Sequence, residues 1–327
     1  MKCIRLVTRT SELALWQARF IEQAIYHAHP HFSDLNIELI GVKTQGDKIL
    51  ETSLSKVGGK GLFVKELEDK LLSQSADLAV HSLKDVPYQL PVGLVLAAFG
   101  EREDPRDVLI SPKYGHLALL PKGATVGTSS LRRQAQLLKI RPDLHCHDLR
   151  GNVPTRIQKC MAGQYDAIIL AAAGVKRLGL EKHISQYLDT EAFLPAVGQG
   201  VLALECHEEN QALMHILKPL NHQQTYLSTL AERSLNQALK GGCQVPIAAY
   251  AHFYSENNNN KQTLGLKLTA RVLTPDGKLC LEAFGQLVGI EAFEPEAIRQ
   301  LGQTVAKCLI QQGADKIIAA CYTNEGS

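Results

Sequence analysis

Three stretches of the sequence set hydroxyls or glycine backbone beside arginine where a strand-like run gives way to a helix-like one. They are Thr8-Arg9-Thr10-Ser11, Gly127-Thr128-Ser129-Ser130-Leu131-Arg132-Arg133 and Leu149-Arg150-Gly151-Asn152-Val153-Pro154-Thr155-Arg156. Helix N-termini favour anions, and the guanidinium fork matches carboxylate or phosphate oxygens in pairs. Any one turn reads equally well as a surface cap with a solvated arginine. Three of them at strand C-terminal ends point to a shared anion site, where open α/β sheets bind ligands. Several carboxylates suit these residues better than one triphosphate. No G-x-x-x-x-G-K-[ST] loop occurs, and Gly58-Gly59-Lys60-Gly61 lacks that spacing.

Two further stretches could do chemistry. His81-Ser82-Leu83-Lys84-Asp85-Val86-Pro87 puts an acid at a strand end facing the expected basic cleft. Asp85 beside Lys84 should stay ionised, which suits stabilising a cation or moving protons; it also reads as an ordinary turn residue before proline. Leu239-Lys240-Gly241-Gly242-Cys243-Gln244-Val245-Pro246 places one thiol after two glycines that permit positive φ and leave room beside the sulfur. Lys240 would favour the reactive thiolate. The same pattern describes a buried thiol acting as a small hydrophobe at a helix stop. His145-Cys146-His147 resembles a metal cluster, but strand alternation puts only the two histidines on one face, and no metal site is expected.

The elements that must position these residues alternate. Strands are expected at Ile4–Thr8, Asn36–Thr44 and Asp77–His81, with helices over Glu12–Ala28, capped by Ser11, and Leu62–Ser73. Past the charged segment Glu101–Asp107 the alternation restarts, with strands at Thr125–Gly127, Leu144–Leu149 and Asp166–Ala171. Helices fall at Ser130–Arg141, Val153–Ala162 and around Val175–Leu178. Leu194–Gly200 then leads to a late strand, Val201–Cys206. Such alternation predicts parallel βαβ units in two similar α/β lobes. From about residue 222 the pattern becomes α+β: a helix over Gln223–Leu239, strands at Pro246–Tyr254, Leu264–Leu273 and Lys278–Val288, and a helix over Glu294–Gln312. The domains expected are 1–100 with 200–221, 101–199, and 222–327. Ser255–Asn260 reads as a polar loop tip.

Composition bounds the rest. A net charge of +2 argues against a protein that coats a polyanion, and no apolar run reaches the ~18–20 residues that span a bilayer. The N-terminus shows no signal-peptide apolar region, so a cytoplasmic protein is expected. The eight cysteines are scattered, the nearest two thirteen positions apart. Neither a zinc ribbon nor a C-x-x-C redox pair is offered, and reduced thiols are the default.

Taken together, the motifs resemble porphobilinogen deaminase (hydroxymethylbilane synthase). They are Arg9-Thr10-Ser11 with Leu13-Ala14-Leu15-Trp16, Lys56–Phe63, His81–Pro87, Glu101–Asp107, Gly127–Arg133, Leu149–Asn152, Leu194–Gly200 and Gly241–Pro246. The resemblance runs from residue 4 to the final helix. It implies a transferase that deaminates porphobilinogen and joins the units head to tail on a covalent dipyrromethane cofactor, then releases hydroxymethylbilane. It implies two lobes like periplasmic binding proteins and a third domain holding the cofactor by a thioether to Cys243. It also implies that Asp85 is catalytic, and that Lys84, Ser129, Arg132, Arg133 and Arg150 hold the cofactor. Arg9, Ser11, Thr128, Ser130, Arg156 and Arg177 would bind substrate carboxylates. A monomer that passes its product to the next enzyme of tetrapyrrole synthesis is expected, with no nucleic-acid or membrane partner. Many members have proline where this chain has Glu12; either suits a first helical turn.

Two rival readings differ in kind. A non-catalytic two-lobed binder of a small polycarboxylate gives no role to Cys243 or Asp85. A nucleic-acid-binding protein would use Leu131-Arg132-Arg133 through Arg141 as a basic helix, but the near-zero net charge and the lack of a wider basic stripe count against it.

Overall fold

The computed structural model describes residues 3–32, 34–48, 61–242, 245–258, 261–289 and 293–323. Cys243 and the Lys56–Lys60 part of the glycine-rich motif lie outside the described residues.

The first lobe opens with β1 (Cys3–Arg9) and α1 (Glu12–Ala28). Helix α1 starts where Ser11 Oγ accepts the Ala14 N–H at 3.4 Å, and it buries Ala14, Ala18, Ile21 and Ile25 at helical spacing. Strand β2 (Asn36–Val42), helices α2 (Gln45–Lys48) and α3 (Lys65–Leu72), and strands β3 (Leu78–Ser82) and β4 (Leu94–Phe99) follow. β1 pairs in parallel with both β2 and β3. The helix expected from Leu62 starts at Lys65 instead, because residues 61–64 form a turn with Gly61 at φ 78°.

The second lobe runs through β5 (Asp107–Ile110), β6 (Thr125–Gly127), α4 (Leu131–Ile140), β7 (His145–His147), α5 (Val153–Met161), β8 (Ala167–Ala171), α6 (Ala172–Arg177) and β9 (Gln186–Tyr187). Its sheet order is β7-β6-β8-β5-β9, with β6 parallel to β7 and β8, and β5 antiparallel to β8 and β9. The six-residue strand expected at Leu144–Leu149 shrinks to three. At its end the Ser129 hydroxyl takes over, accepting the Leu149 N–H and donating to the Leu149 carbonyl, both at 3.0 Å. The short helix expected near Val175 begins three residues earlier.

The chain then returns to the first lobe. β10 (Leu202–His207) inserts antiparallel between β3 and β4, giving the order β2-β1-β3-β10-β4. After α7 (Gln211–Leu217), α8 (Gln223–Ala238) enters the last portion. There β11 (Ile247–Asn258), β12 (Lys261–Leu273) and β13 (Cys280–Val288) form an antiparallel sheet, packed on α8 and α9 (Pro295–Gln311) and closed by α10 (Ala314–Thr323). The fold is therefore mixed α/β, with two five-stranded lobes and a small antiparallel sheet in the third portion. Alternate residues Ala249, Ala251, Leu266, Leu268, Ala270 and Val272 form the buried face of that sheet.

Two expectations need correcting here. The polar run Ser255–Asn260 is not a loop tip throughout, because β11 pairs with β12 as far as Asn258↔Lys261. At the end of α8 the left-handed residue is Lys240, at φ 52°, and neither glycine after it takes a positive φ. At Gly241 a Cβ would stand 2.0 Å from Asn236 Oδ1 and 2.7 Å from Ile247 Cδ1, so both side chains would have to move to admit one.

Both lobe crossings meet one buried carboxylate of α8. Glu232 accepts from Arg102 Nη1 at 2.8 Å, from the Gly198 N–H at 2.7 Å and from the Ala251 N–H at 2.8 Å. A fully buried carboxylate is tolerated only when paired and hydrogen-bonded in this way.

Candidate active site

The turn Leu83–Asp85 leaves β3 as a single 3-10 turn. Its start is fixed by the Leu83 N–H donating to the Val201 carbonyl at 2.9 Å. Just before it, His81 Nε2 lies 2.8 Å from Glu205 Oε2, both side chains buried. Arg9, Gln17, Phe63, His81, Ser82 and Asp85 line one pocket of the first lobe. Gln17 Nε2 donates to Ser82 Oγ at 2.9 Å and so ties α1 to the strand before the turn. Arg9 is not a free fork: its Nε donates to Asp47 Oδ2 at 3.2 Å, and its guanidinium lies 4.3 Å from the Phe63 ring centre. Ser11 serves as the cap of α1.

Across from this turn, Arg132 and Arg133 of the second lobe are buried. Asp107, at the head of β5, receives Arg132 Nη1 at 2.8 Å and Arg133 Nη2 at 2.8 Å. Arg132 also donates to the Leu194 carbonyl at 2.7 Å, and Arg133 Nη1 to the Ile169 carbonyl at 3.2 Å. Both arginines, expected as open forks, are thus partly spoken for by the protein's own acid. Burial pushes the Asp107 carboxyl up, but Arg132, Arg133 and Lys84 outweigh it and hold it at about 2. Sequence reading placed Asp107 only in a charged boundary segment. Its signal was its position as the first residue of an apolar strand.

Around that pair the cations are crowded. Burial and the neighbouring Arg133 charge bring Lys84 down to about 8, with Asp85 opposing. Burial, then Arg133 and Arg150, bring Arg156 down to about 10, again with Asp85 opposing. Burial also lowers Arg132 and Arg150. Lys84, Asp85, Arg132, Arg133, Arg150 and Arg156 are therefore brought together electrostatically. Arg156 Nε donates to the Gly151 carbonyl at 2.7 Å. Gly151 itself sits at φ 117°, with Thr155 only 2.9 Å from where a Cβ would be, so the turn into α5 needs glycine. Arg150 Nε and Nη2, and Arg132 Nε, are buried without a hydrogen-bond partner.

The remaining expected residues fall at the edge of this group. Thr128 is buried, and its Oγ1 accepts the Ser130 N–H at 3.3 Å. Ser130 heads α4 without its hydroxyl capping the helix, and the Ser129 hydroxyl is committed to Leu149. Arg177 stands apart, donating to the Gly200 carbonyl at 2.8 Å and lying 5.9 Å from the Trp16 ring centre. Burial brings it down to about 10.

Five cations, Lys84, Arg132, Arg133, Arg150 and Arg156, thus share the carboxylates of Asp85, Asp107 and Asp148. Depressed cations and orphaned guanidinium N–H groups are what a site built for several ligand carboxylates should show before they arrive. Among the described residues no group of three or more His, Cys, Asp or Glu side chains is placed to hold a metal ion, and no helix is long and apolar enough to cross a membrane.

Residues 4–215 match the family model "porphobilinogen deaminase, dipyromethane cofactor binding domain", and residues 226–311 match "porphobilinogen deaminase, C-terminal domain". The chain belongs to the porphobilinogen deaminase family. It converts porphobilinogen to hydroxymethylbilane and uses a dipyrromethane cofactor. Solved structures similar to it include a putative methionine-binding lipoprotein from Bacillus subtilis, at 12% identity and TM-score 0.42, covering 68% of this chain and 90% of that one. An ABC-transporter periplasmic substrate-binding protein from Coxiella burnetii gives 14% and 0.44, covering 70% and 96%. A double mutant of the Bordetella pertussis BvgS VFT2 domain gives 19% and 0.38, covering 66% and 85%.

Arg150→Leu removes a guanidinium whose Nε and Nη2 are buried without a partner. The variant is expected to assemble cofactor poorly or to stall in elongation, read as the distribution of adduct masses on the purified protein. A normal mass and normal tetrapyrrole yield would argue against that role.

Proposed function

We propose that Cys243 carries the dipyrromethane through a thioether, and that Lys84, Ser129, Arg132, Arg133 and Arg150 hold its carboxylates. Arg9, Ser11, Thr128, Ser130, Arg156 and Arg177 are assigned to the carboxylates of incoming substrate. Asp85 is the catalytic acid. The observation that supports this reading is the set of buried guanidinium N–H groups without a partner, Arg132 Nε and Arg150 Nε and Nη2, beside buried Arg132 and Arg133. When bound, the cofactor supplies the free pyrrole carbon from which the product grows.

The residues do the rest. As the aminomethyl C–N bond of porphobilinogen breaks and ammonia leaves, positive charge spreads over the substrate pyrrole. The Asp85 carboxylate, fixed at the end of β3, stabilises that charge as it develops and accepts or returns protons at its oxygens. The arginines orient each unit by its acetate and propionate, which a bidentate fork does better than an ammonium. The Lys84 ammonium, down to about 8, returns toward its ordinary value when a carboxylate binds beside it.

We further propose domains of 1–100 with 200–221, 101–199 and 222–327, a cytoplasmic monomer, and transfer of the product to the next enzyme of tetrapyrrole synthesis. The test is intact mass. Wild-type protein from a porphobilinogen-producing host is expected to exceed its sequence mass by a two-pyrrole adduct that Cys243→Ser lacks. An unmodified wild-type mass would sink the cofactor assignment.

A further inference from the structure

One half-buried cation near the Asp85 turn is taken up by backbone carbonyls. Arg233, on α8, reaches out of the third portion of the chain into the first lobe. Its Nη1 donates to the Val86 carbonyl at 3.3 Å, and its Nη2 to the carbonyls of Pro87 at 2.8 Å and Tyr88 at 3.3 Å. Three successive carbonyls turned toward one guanidinium need its planar spread of donors; an ammonium cannot span them. Burial brings Arg233 down to about 10, with the Glu205 carboxylate opposing. Glu205 is the same acid that pairs with His81 at the other end of the segment. The stretch 81–88 is therefore gripped twice: at its entry by His81–Glu205 within the first lobe, and at its exit by a helix that belongs elsewhere.

That helix ends at Ala238, five residues before Cys243. Arg233 lies about one and a half helical turns before that helix end. We infer that Arg233 is a positioning residue: it holds the Asp85 turn in register with helix α8 of the third domain through the carbonyls of residues 86–88. The inference rests on the roles proposed above for Asp85 and Cys243.

The test compares Arg233→Met and Arg233→Lys with wild type, with kcat counted per adduct-bearing molecule by intact mass and amide hydrogen exchange followed in parallel. Misplacement on the scale of an ångström costs up to about a hundredfold in rate. Arg233→Met is accordingly expected to lose about tenfold to a hundredfold in kcat with KM within about threefold of wild type. Exchange should quicken over residues 84–88 while β11–β13 stay unchanged, and Arg233→Lys should recover only part of the rate. Loss of folded protein alone would lower yield but leave kcat per adduct-bearing molecule intact; that result, or quickened exchange spread evenly through β11–β13, would overturn the proposal. Should Arg233→Met take up no adduct, Arg233→Lys decides: wild-type kcat refutes the role, and lowered kcat at unchanged KM supports it. An adduct-free wild type would instead refute the reading of Cys243.

Discussion

Asp85→Asn is expected to keep the fold and the two-pyrrole adduct while losing about 10²- to 10⁴-fold in turnover, the usual worth of a positioned acid–base group. The substitution preserves shape and removes charge. A neutral amide cannot stabilise positive charge on the substrate pyrrole, nor can it shuttle a proton. The loss has a second part. The Asp85 carboxylate opposes the depression of both Lys84 and Arg156. Without it these cations repel one another with less relief, and Lys84 falls further below about 8. Substrate affinity at alkaline pH should therefore weaken more in the variant than in wild type. Steady-state kinetics across pH, on protein whose adduct has been verified by mass, checks both parts. Near-normal kcat would remove Asp85 from the chemistry.

Asp107→Asn is the second large effect, and it acts on stability first. Asp107 is fully buried and is the acid that Arg132 and Arg133 share. Removing one partner of a buried ion cluster leaves uncompensated charge and costs about 3–5 kcal/mol. In melting temperature that is a fall on the order of 10 °C. The pH dependence has a definite sign. The folded carboxyl, at about 2, lies below its ordinary 3.8, so the unfolded chain binds the proton more readily. The Asp107 contribution is fully present above about 4 and is lost as pH falls through about 2. Wild type and variant should differ by a nearly constant amount from pH 5 to about 6, below the titration of Lys84, and converge only below about 4. Thermal melts over that range test this, and a variant as stable as wild type at pH 7 would show that the arginines need no internal acid.

Much of this was legible in the residues. Alternating apolar runs located β1, α1, β6, α4, α5 and α8 to within a residue or two, and α1 and α5 carry their own caps in Ser11 and Asn152. The basic turns were legible because arginine recurs beside hydroxyls and glycine at three strand ends. What remained hidden depends on partners far along the chain. Asp107 looks like a boundary charge until β5 is placed beside α4, ninety-two residues from the Gln199 amide that also reaches it at 3.2 Å. Glu232 and Arg233 look like the polar stripe of a helix, and only packing shows one holding both lobe crossings and the other holding the Asp85 turn. The short strands β5 and β9 lack local punctuation and owe their form to neighbours. His81 gave no sign of Glu205, because the two meet only through the pairing of β3 with β10.

That pairing has a consequence for how the molecule is made. β4 finds its one sheet neighbour in β10, which is synthesised more than a hundred residues later. On the ribosome, β1, β2 and β3 can assemble early, but β4 and its apolar face stay unpaired until residue 207 has emerged. The second lobe, by contrast, is contiguous in sequence and can close while the first still waits. Long-range closure of this kind slows folding and leaves an open strand edge in the meantime. A nascent chain halted before residue 202 should therefore be the species most prone to aggregate and most dependent on chaperones, and one halted beyond residue 220 should resist proteolysis in both lobes.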